Sequence, residues 1–275
     1  MAPILVEIRR GTVVEAVHRV HVATTEGDSW GDAGLVCFYR SASKPIQAIP
    51  FCEGYDDLDD DEVAIACASH RAEPAQLAAV RKVLARASAS VDDLENGLQD
   101  GRPEGKLGHN CSGKHAGMLA ACRANGWPMH PYRDPSHPLQ RRIAELLGAD
   151  RATATDGCGV PTFAAKLHDC AALLTHAPLR IRDAMRARPE LVGGAAGAVD
   201  TDLMRLRDGW IAKGGAEGLF CAAHEDGRGI AFKCEDGAHR ALRAAVGHVF
   251  EIDDFADTPV RNSLGEVVGL IDVAT

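Results

Sequence analysis

The chain has 275 residues, 46% hydrophobic, 25% charged and only 5% aromatic, enough apolar material for a sizeable core in one globular unit or two packed lobes. Its 30 basic and 39 acidic side chains give a formal net charge of −9, which argues against a nucleic acid as main partner. No apolar run approaches the roughly 20 residues that a membrane span needs. The opening segment lacks a basic stretch followed by an apolar one, and the nine scattered cysteines fit a reducing compartment better than a disulfide framework, so a cytoplasmic location is expected.

Taken in chain order, Ile4 to Ile8 and Val13 to Val22 are β-rich runs separated by Gly11-Thr12, a hairpin pattern, and Gly31 to Tyr39 adds a third extended run. The character changes at Ser41, where apolar residues near helical spacing predict a short helix limited by Pro45 and Pro50. Pro74 to Ala89 places Leu77, Val80, Val83 and Leu84 on one helical face. Ser136, a candidate N-cap, opens a further helix that Gly148 would stop, and Thr162 to His176 and Asp202 to Ile211 also read as helices. Strands return at Gly218 to His224 and Ile230 to Lys233 around an Asp-Gly turn. An Ala-rich helix follows over Gly237 to Gly247, then a strand pair around Gly265. The expected architecture is α+β: a single catalytic unit, 1–275, with a sheet from residues 1–40 and 214–275 and a mainly helical lobe over 41–213.

Several short constellations can carry chemistry. Ser41 and Lys44 stand three apart at the start of the first helix, so both side chains share a face. A serine becomes nucleophilic when a base takes its proton, and a lysine can be that base once burial keeps it neutral. Cys67-Ala68-Ser69-His70 offers a second hydroxyl and an imidazole, although a capped helix start would also account for it. His109 to His115 sets Cys111 and Lys114 three apart, and Asp156-Gly157-Cys158-Gly159 is a turn that presents a thiol and a carboxylate. The two separated cysteines raise a zinc site without any C-x-x-C pair, against the plainer reading of buried thiols. Lys213-Gly-Gly-Ala-Glu-Gly and Lys233-Cys234-Glu235-Asp236-Gly237 add two lysines beside glycine turns; an inward Lys233 would have its pKa lowered by desolvation, and an outward one would snorkel.

Together, R-S-A-S-K-P at Arg40 to Pro45, C-A-S-H at Cys67 to His70, H-N-C-S-G-K-H at His109 to His115, D-G-C-G-V-P at Asp156 to Pro161, G-G-A-E-G at Gly214 to Gly218 and K-C-E-D-G at Lys233 to Gly237 resemble the Rhizobium etli type (class 3) L-asparaginases. That resemblance implies a fold related to serine β-lactamases, penicillin-binding proteins and glutaminases, a homodimer, and hydrolysis of L-asparagine to L-aspartate and ammonia. It matches Ser41 with Lys44 and Ser69 with Lys233 as two catalytic pairs, and Cys111, Lys114 and Cys158 as ligands of a supporting zinc ion. Asp156 matches a neighbouring acidic residue. Arg40, whose planar fork suits a carboxylate, and His70 join Asp156 as expected substrate contacts. Lys213 and Cys234 receive no role. Two alternatives stay open: another Ser-Lys hydrolase acting on β-lactams, peptides or esters, disfavoured by the lack of a K-T-G triplet, and a non-catalytic zinc-binding pseudoenzyme.

Overall fold

The computed structural model describes residues 1–148, 150–195 and 197–274. The chain opens on the expected hairpin, β1 (Ile4–Arg10) and β2 (Val13–Thr24), turned at Gly11 with φ +55°. Side chains alternate across a strand, and here Ile4, Val6 and Ile8 are buried while Leu5 faces outward. The third extended run splits into β3 (Ser29–Trp30), which pairs with β2, and β4 (Val36–Phe38), which leaves for a separate small sheet.

A 3-10 turn at Arg40–Ser43 runs into α1 (Lys44–Gln47) and α2 (Ile49–Glu53), which carry Pro45 and Pro50 in their first turns, where a missing N–H costs nothing. The helical lobe continues with α3 (Asp60–Ala66), started by a reciprocal Asp59–Glu62 capping box, then α4 (Pro74–Arg86), α5 (Ser112–Asn125) and α6 (Pro138–Leu147). Helix α5 is its axis: every residue from Ser112 to Cys122 is buried. It crosses α3 at Gly113, where a Cβ would stand 2.2 Å from the Ile65 carbonyl oxygen, so only glycine permits the approach. That crossing sets the N-terminus of α5 against the segment leading out of α3, and both carry site residues.

Strands β5 (Thr153–Thr155) and β6 (Pro161–Lys166) pair with β4 in the order β4-β6-β5. The helix expected from Thr162 therefore begins only at α7 (Leu167–Ala172), because pairing on both edges overrides the helical tendency of Phe-Ala-Ala-Lys. The lobe ends with α8 (Leu179–Ala187), α9 (Pro189–Gly193) and α10 (Val199–Leu206). The helix expected over Asp202 to Ile211 stops early, and the chain turns through Gly209, φ +76°, into β7 (Trp210–Gly214).

The remaining elements are β8 (Leu219–His224), β9 (Gly229–Cys234), α11 (Leu242–Phe250), β10 (Thr258–Arg261) and β11 (Val267–Val273). The main sheet runs β10-β11-β1-β2-β9-β8-β7, antiparallel throughout, so strands from both ends of the chain adjoin and the helical lobe is inserted between them. No helix among the described residues is long and apolar enough to cross a membrane.

Candidate active site

A cavity of about 420 Å³ lies where the end of β7 meets the helical lobe, and Ser41, Ser69, Asn110, Asp200 and Lys213 contribute to its lining. Ser41 sits on the 3-10 turn directly after Arg40, whose φ of +46° is a left-handed backbone that non-glycine residues seldom adopt. The turn is held from outside by the Arg40 N–H, which donates to Thr162 Oγ1 at 3.1 Å. Three residues on, Lys44 is 1% exposed, and its Nζ donates to the Ala68 carbonyl at 2.5 Å, Ser69 Oγ at 3.0 Å and the Asn110 carbonyl at 3.5 Å. Burial pulls its pKa below the ordinary lysine value, partly opposed by Cys111, so the neutral amine that a base requires is easier to reach than in water. One amine thus links the two serine segments.

Lys233 does not stand beside Ser69. Its amine donates to the carbonyls of Glu217 at 2.6 Å and Cys234 at 2.5 Å, within the turn that joins β7 to β8 and at the end of its own strand. The lysine that lines the cavity is Lys213, 1% exposed near the end of β7, bonded to the Gly214 carbonyl at 2.8 Å and facing Asp200 Oδ2 at 3.4 Å. The sheet register explains the difference. Lys213 pairs with Cys221 and Lys233 with Leu219, so both amines leave the same sheet face, but β9 lies two strands further in than β7. A sequence signal existed: Lys213-Gly214-Gly215 has the Lys-x-Gly spacing of the K-T-G strand motif found in Ser-Lys enzymes.

The three expected substrate contacts are occupied elsewhere. Arg40 Nε donates to Asp156 Oδ1 at 2.5 Å, and the Gly157 N–H donates to the same oxygen at 2.8 Å. Burial would raise the Asp156 carboxyl, but Lys114 and Arg40 outweigh it and hold the group below the usual carboxylate range. The pair braces the serine turn against the 156–161 loop rather than facing the cavity. His70 is 1% exposed; its Nδ1 accepts the Ala72 N–H at 3.1 Å, so Nε2 carries the proton and donates to Ser112 Oγ at 2.8 Å. Burial, with Lys44 and Arg102 adding to it, depresses the ring to a pKa of about 3. His70 is a neutral strut between the Ser69 segment and α5.

Cys111, at the N-cap of α5, Lys114 one turn further and Cys158 on the 156–161 loop meet behind Lys44. Lys114 Nζ lies 2.9 Å from Cys158 Sγ. A hydrogen bond from Cys158 holds the Cys111 thiol well below its ordinary pKa against the effect of burial, with Lys44 and Lys114 adding to it. Burial opposes the charge on Lys114, yet the thiols of Cys158 and Cys111 outweigh it and raise its pKa. His115 Nδ1 contacts Tyr132 Oη at 2.8 Å, while its buried Nε2, which turns toward Cys158, has no hydrogen-bond partner among the described residues. Two soft thiols, a nitrogen donor and an orphaned imidazole nitrogen in a dry pocket suit a zinc ion. The Lys114 ammonium otherwise supplies the positive charge that a dication would bring, and the amine would have to lose its proton to become a ligand. The residues present fit the metal.

A second group of metal-capable atoms, His18, Cys234 and Asp236, lies within 4.8 Å of one another. Here Arg240 Nε donates to His18 Nε2 at 2.9 Å, which leaves the ring proton on Nδ1, facing Asp236 Oδ2 at 2.6 Å. Cys234 Sγ also donates to Asp236, at 3.0 Å. The cluster is a satisfied hydrogen-bond network with no lone pair of His18 left for an ion.

A sheet built from both chain ends, an inserted helical lobe and a Ser-x-x-Lys turn at the first helix make this an α+β protein of the β-lactamase-like kind. Within that class the chain belongs to the L-asparaginase II family, whose model matches residues 6–272. No curated protein matches it. Among solved structures it is similar to a candidate beta-lactamase from Bacteroides dorei DSM 17855, at 14% identity, with 84% of each chain covered and a TM-score of 0.38. At that distance the likeness bears on neither chemistry nor substrate.

Proposed function

We propose that the chain hydrolyses L-asparagine to L-aspartate and ammonia through a serine ester, as its resemblance to the Rhizobium etli type enzymes implies. The observation that carries the reading is the buried Lys44 amine, hydrogen-bonded to Ser69 and three residues along one turn from Ser41, with both serines on a single cavity. In this scheme Ser41 Oγ attacks the carboxamide carbon while its proton passes to neutral Lys44. The carbonyl electrons move onto oxygen, and the backbone at Ser41 and Ala216, both on the cavity wall, is the candidate source of N–H donors for that charge. Collapse breaks the C–N bond as the nitrogen takes a proton from Lys44 with the Ser69 hydroxyl between them, and ammonia leaves. Water then adds to the ester carbonyl, its proton returns along the same groups, and aspartate departs with the Ser41 hydroxyl restored.

Lys213 replaces Lys233 as the second lysine of this scheme, because it shares the cavity with Ser69. Cys111, Lys114 and Cys158 would hold zinc, which when bound ties the start of α5 to the 156–161 loop and adds positive charge behind Lys44. A homodimer in the cytoplasm completes the proposal, on the family resemblance alone. Ammonia release by the purified protein tests it: L-asparagine should be turned over, with L-glutamine as the comparison because one methylene changes preference by about 10- to 200-fold. Release from neither amide would contradict the proposal.

A further inference from the structure

We propose that a second cavity, separate from the one that holds Ser41 and Ser69, binds a small carboxylic acid with an apolar body and a hydroxyl or N–H donor at its far end. The cavity measures about 320 Å³, at the small end of the range of about 300–1,000 Å³ usual for ligand pockets, and none of its lining residues lines the serine cavity. It opens between helix α6 and the β5–β6 pair, with Ala144, Pro161 and Phe163 as apolar walls.

Two polar groups of this cavity have bonding capacity left. Gln140 is 2% exposed, and its amide is oriented by the Tyr132 carbonyl, which can only accept and takes an Nε2 hydrogen at 2.8 Å. Oε1 therefore points away from that carbonyl, and it has no hydrogen-bond partner among the described residues. A buried acceptor left unpaired is rare in folded proteins, and Gln140 is part of the cavity wall, so a donor brought by a ligand completes it. The exposed Arg133 lies over Gly159: a Cβ there would stand 2.2 Å from Nη1 and 3.2 Å from Cζ, and the φ of +88° also favours glycine. Glu95 accepts from Arg133 Nε at 3.2 Å, which fixes the guanidinium plane, while the two terminal nitrogens have no acceptor among the described residues. A planar fork with open N–H groups suits a carboxylate. An acid held there, with its donor on Gln140 Oε1, lays its body against the apolar walls. Gly159 and Pro161 also line the cavity, so the occupant rests on the same loop that carries Asp156 and Cys158.

Three probes test the assignment by calorimetric titration of the full chain: 4-hydroxyphenylacetate, phenylacetate, which lacks the hydroxyl, and tyramine, in which an aminomethyl group replaces the carboxylate. The hydroxy acid should bind saturably. Phenylacetate should bind about 10-fold more weakly, the weight of one hydrogen bond to a buried acceptor. Tyramine should bind about 10- to 100-fold more weakly, because the charge-assisted pair with Arg133 is lost. In Arg133→Ala the preference for acid over amine should vanish. In Gln140→Met, of similar length but without an acceptor, the preference for phenol over phenyl should vanish while phenylacetate still binds. Should Gln140→Met fail to fold, the wild-type ratios and Arg133→Ala decide alone. Equal wild-type affinity for 4-hydroxyphenylacetate and phenylacetate, an acid preference that survives Arg133→Ala, or the absence of saturable binding overturns the site, and each of these results leaves the functional reading of the serine cavity standing.

Discussion

Acidification from pH 7 to 4.5 should remove about 2.7 kcal/mol of folding stability through His70 alone. The ring titrates at about 3 in the folded chain against an ordinary 6.5, because it is buried and lies near Lys44 and Arg102. Protonation would also put a hydrogen on Nδ1, which accepts the Ala72 N–H at 3.1 Å. Between the two pKa values the unfolded chain binds one proton more than the folded chain, so the contribution is intact above 6.5 and is lost as pH falls toward 3. Each pH unit is worth 1.36 kcal/mol, and pH 4.5 lies 6.5 − 4.5 = 2.0 units into that window. Urea unfolding of wild type and His70→Gln at pH 7, 6, 5 and about 4.5 isolates the effect, since other titrating groups are common to both. The variant should be the less stable at pH 7, with the gap narrowing by about 2.7 kcal/mol at the acid end. Parallel stability curves would refute the assignment of His70 as a buried neutral strut.

Three further outcomes follow from the packing and the site. Gly113→Ala should destabilise the fold by about 1–3 kcal/mol or more, read as a fall in Tm, because its Cβ would meet the Ile65 carbonyl oxygen at 2.2 Å, a backbone atom that cannot step aside; an unchanged Tm would contradict the α3–α5 crossing. Lys213→Met should lower kcat/KM on asparagine by about 100-fold or more, whereas Lys233→Met should mainly lower Tm, since its amine serves the Glu217 and Cys234 carbonyls; equal activity losses would restore Lys233 to the site. Cys158→Ser should abolish stoichiometric zinc measured by elemental analysis, and retention of one zinc per chain would exclude the Cys111–Lys114–Cys158 set as its holder.

The sequence exposed whatever local chemistry decides. The Gly11 hairpin, the Ser-x-x-Lys turn and the return of strands after residue 214 all depend on neighbouring residues, and each has its counterpart in the structure. The expected single sheet from residues 1–40 and 214–275 is realised where β11 pairs with β1 and β9 with β2. Long-range partners were beyond reach. Arg40 reads as a free carboxylate binder until Asp156, 116 residues away, is found on its fork. Phe163 to Lys166 reads as helix until β4 and β5 flank it. Lys213 and Lys233 have the same parity on apolar strands, and only the strand order separates the one in the cavity from the one behind it.

The most direct measurement of the central claim is peptide mapping by mass spectrometry after rapid acid quench of the protein turning over a slow aspartyl ester or hydroxamate. An aspartyl adduct on the peptide bearing Ser41, absent in Ser41→Ala and lost or strongly reduced when Lys44, the base that takes the Ser41 proton, is replaced by methionine, is the result the Ser-Lys account predicts. Steady turnover with no adduct on Ser41, or an adduct confined to Ser69, would contradict it.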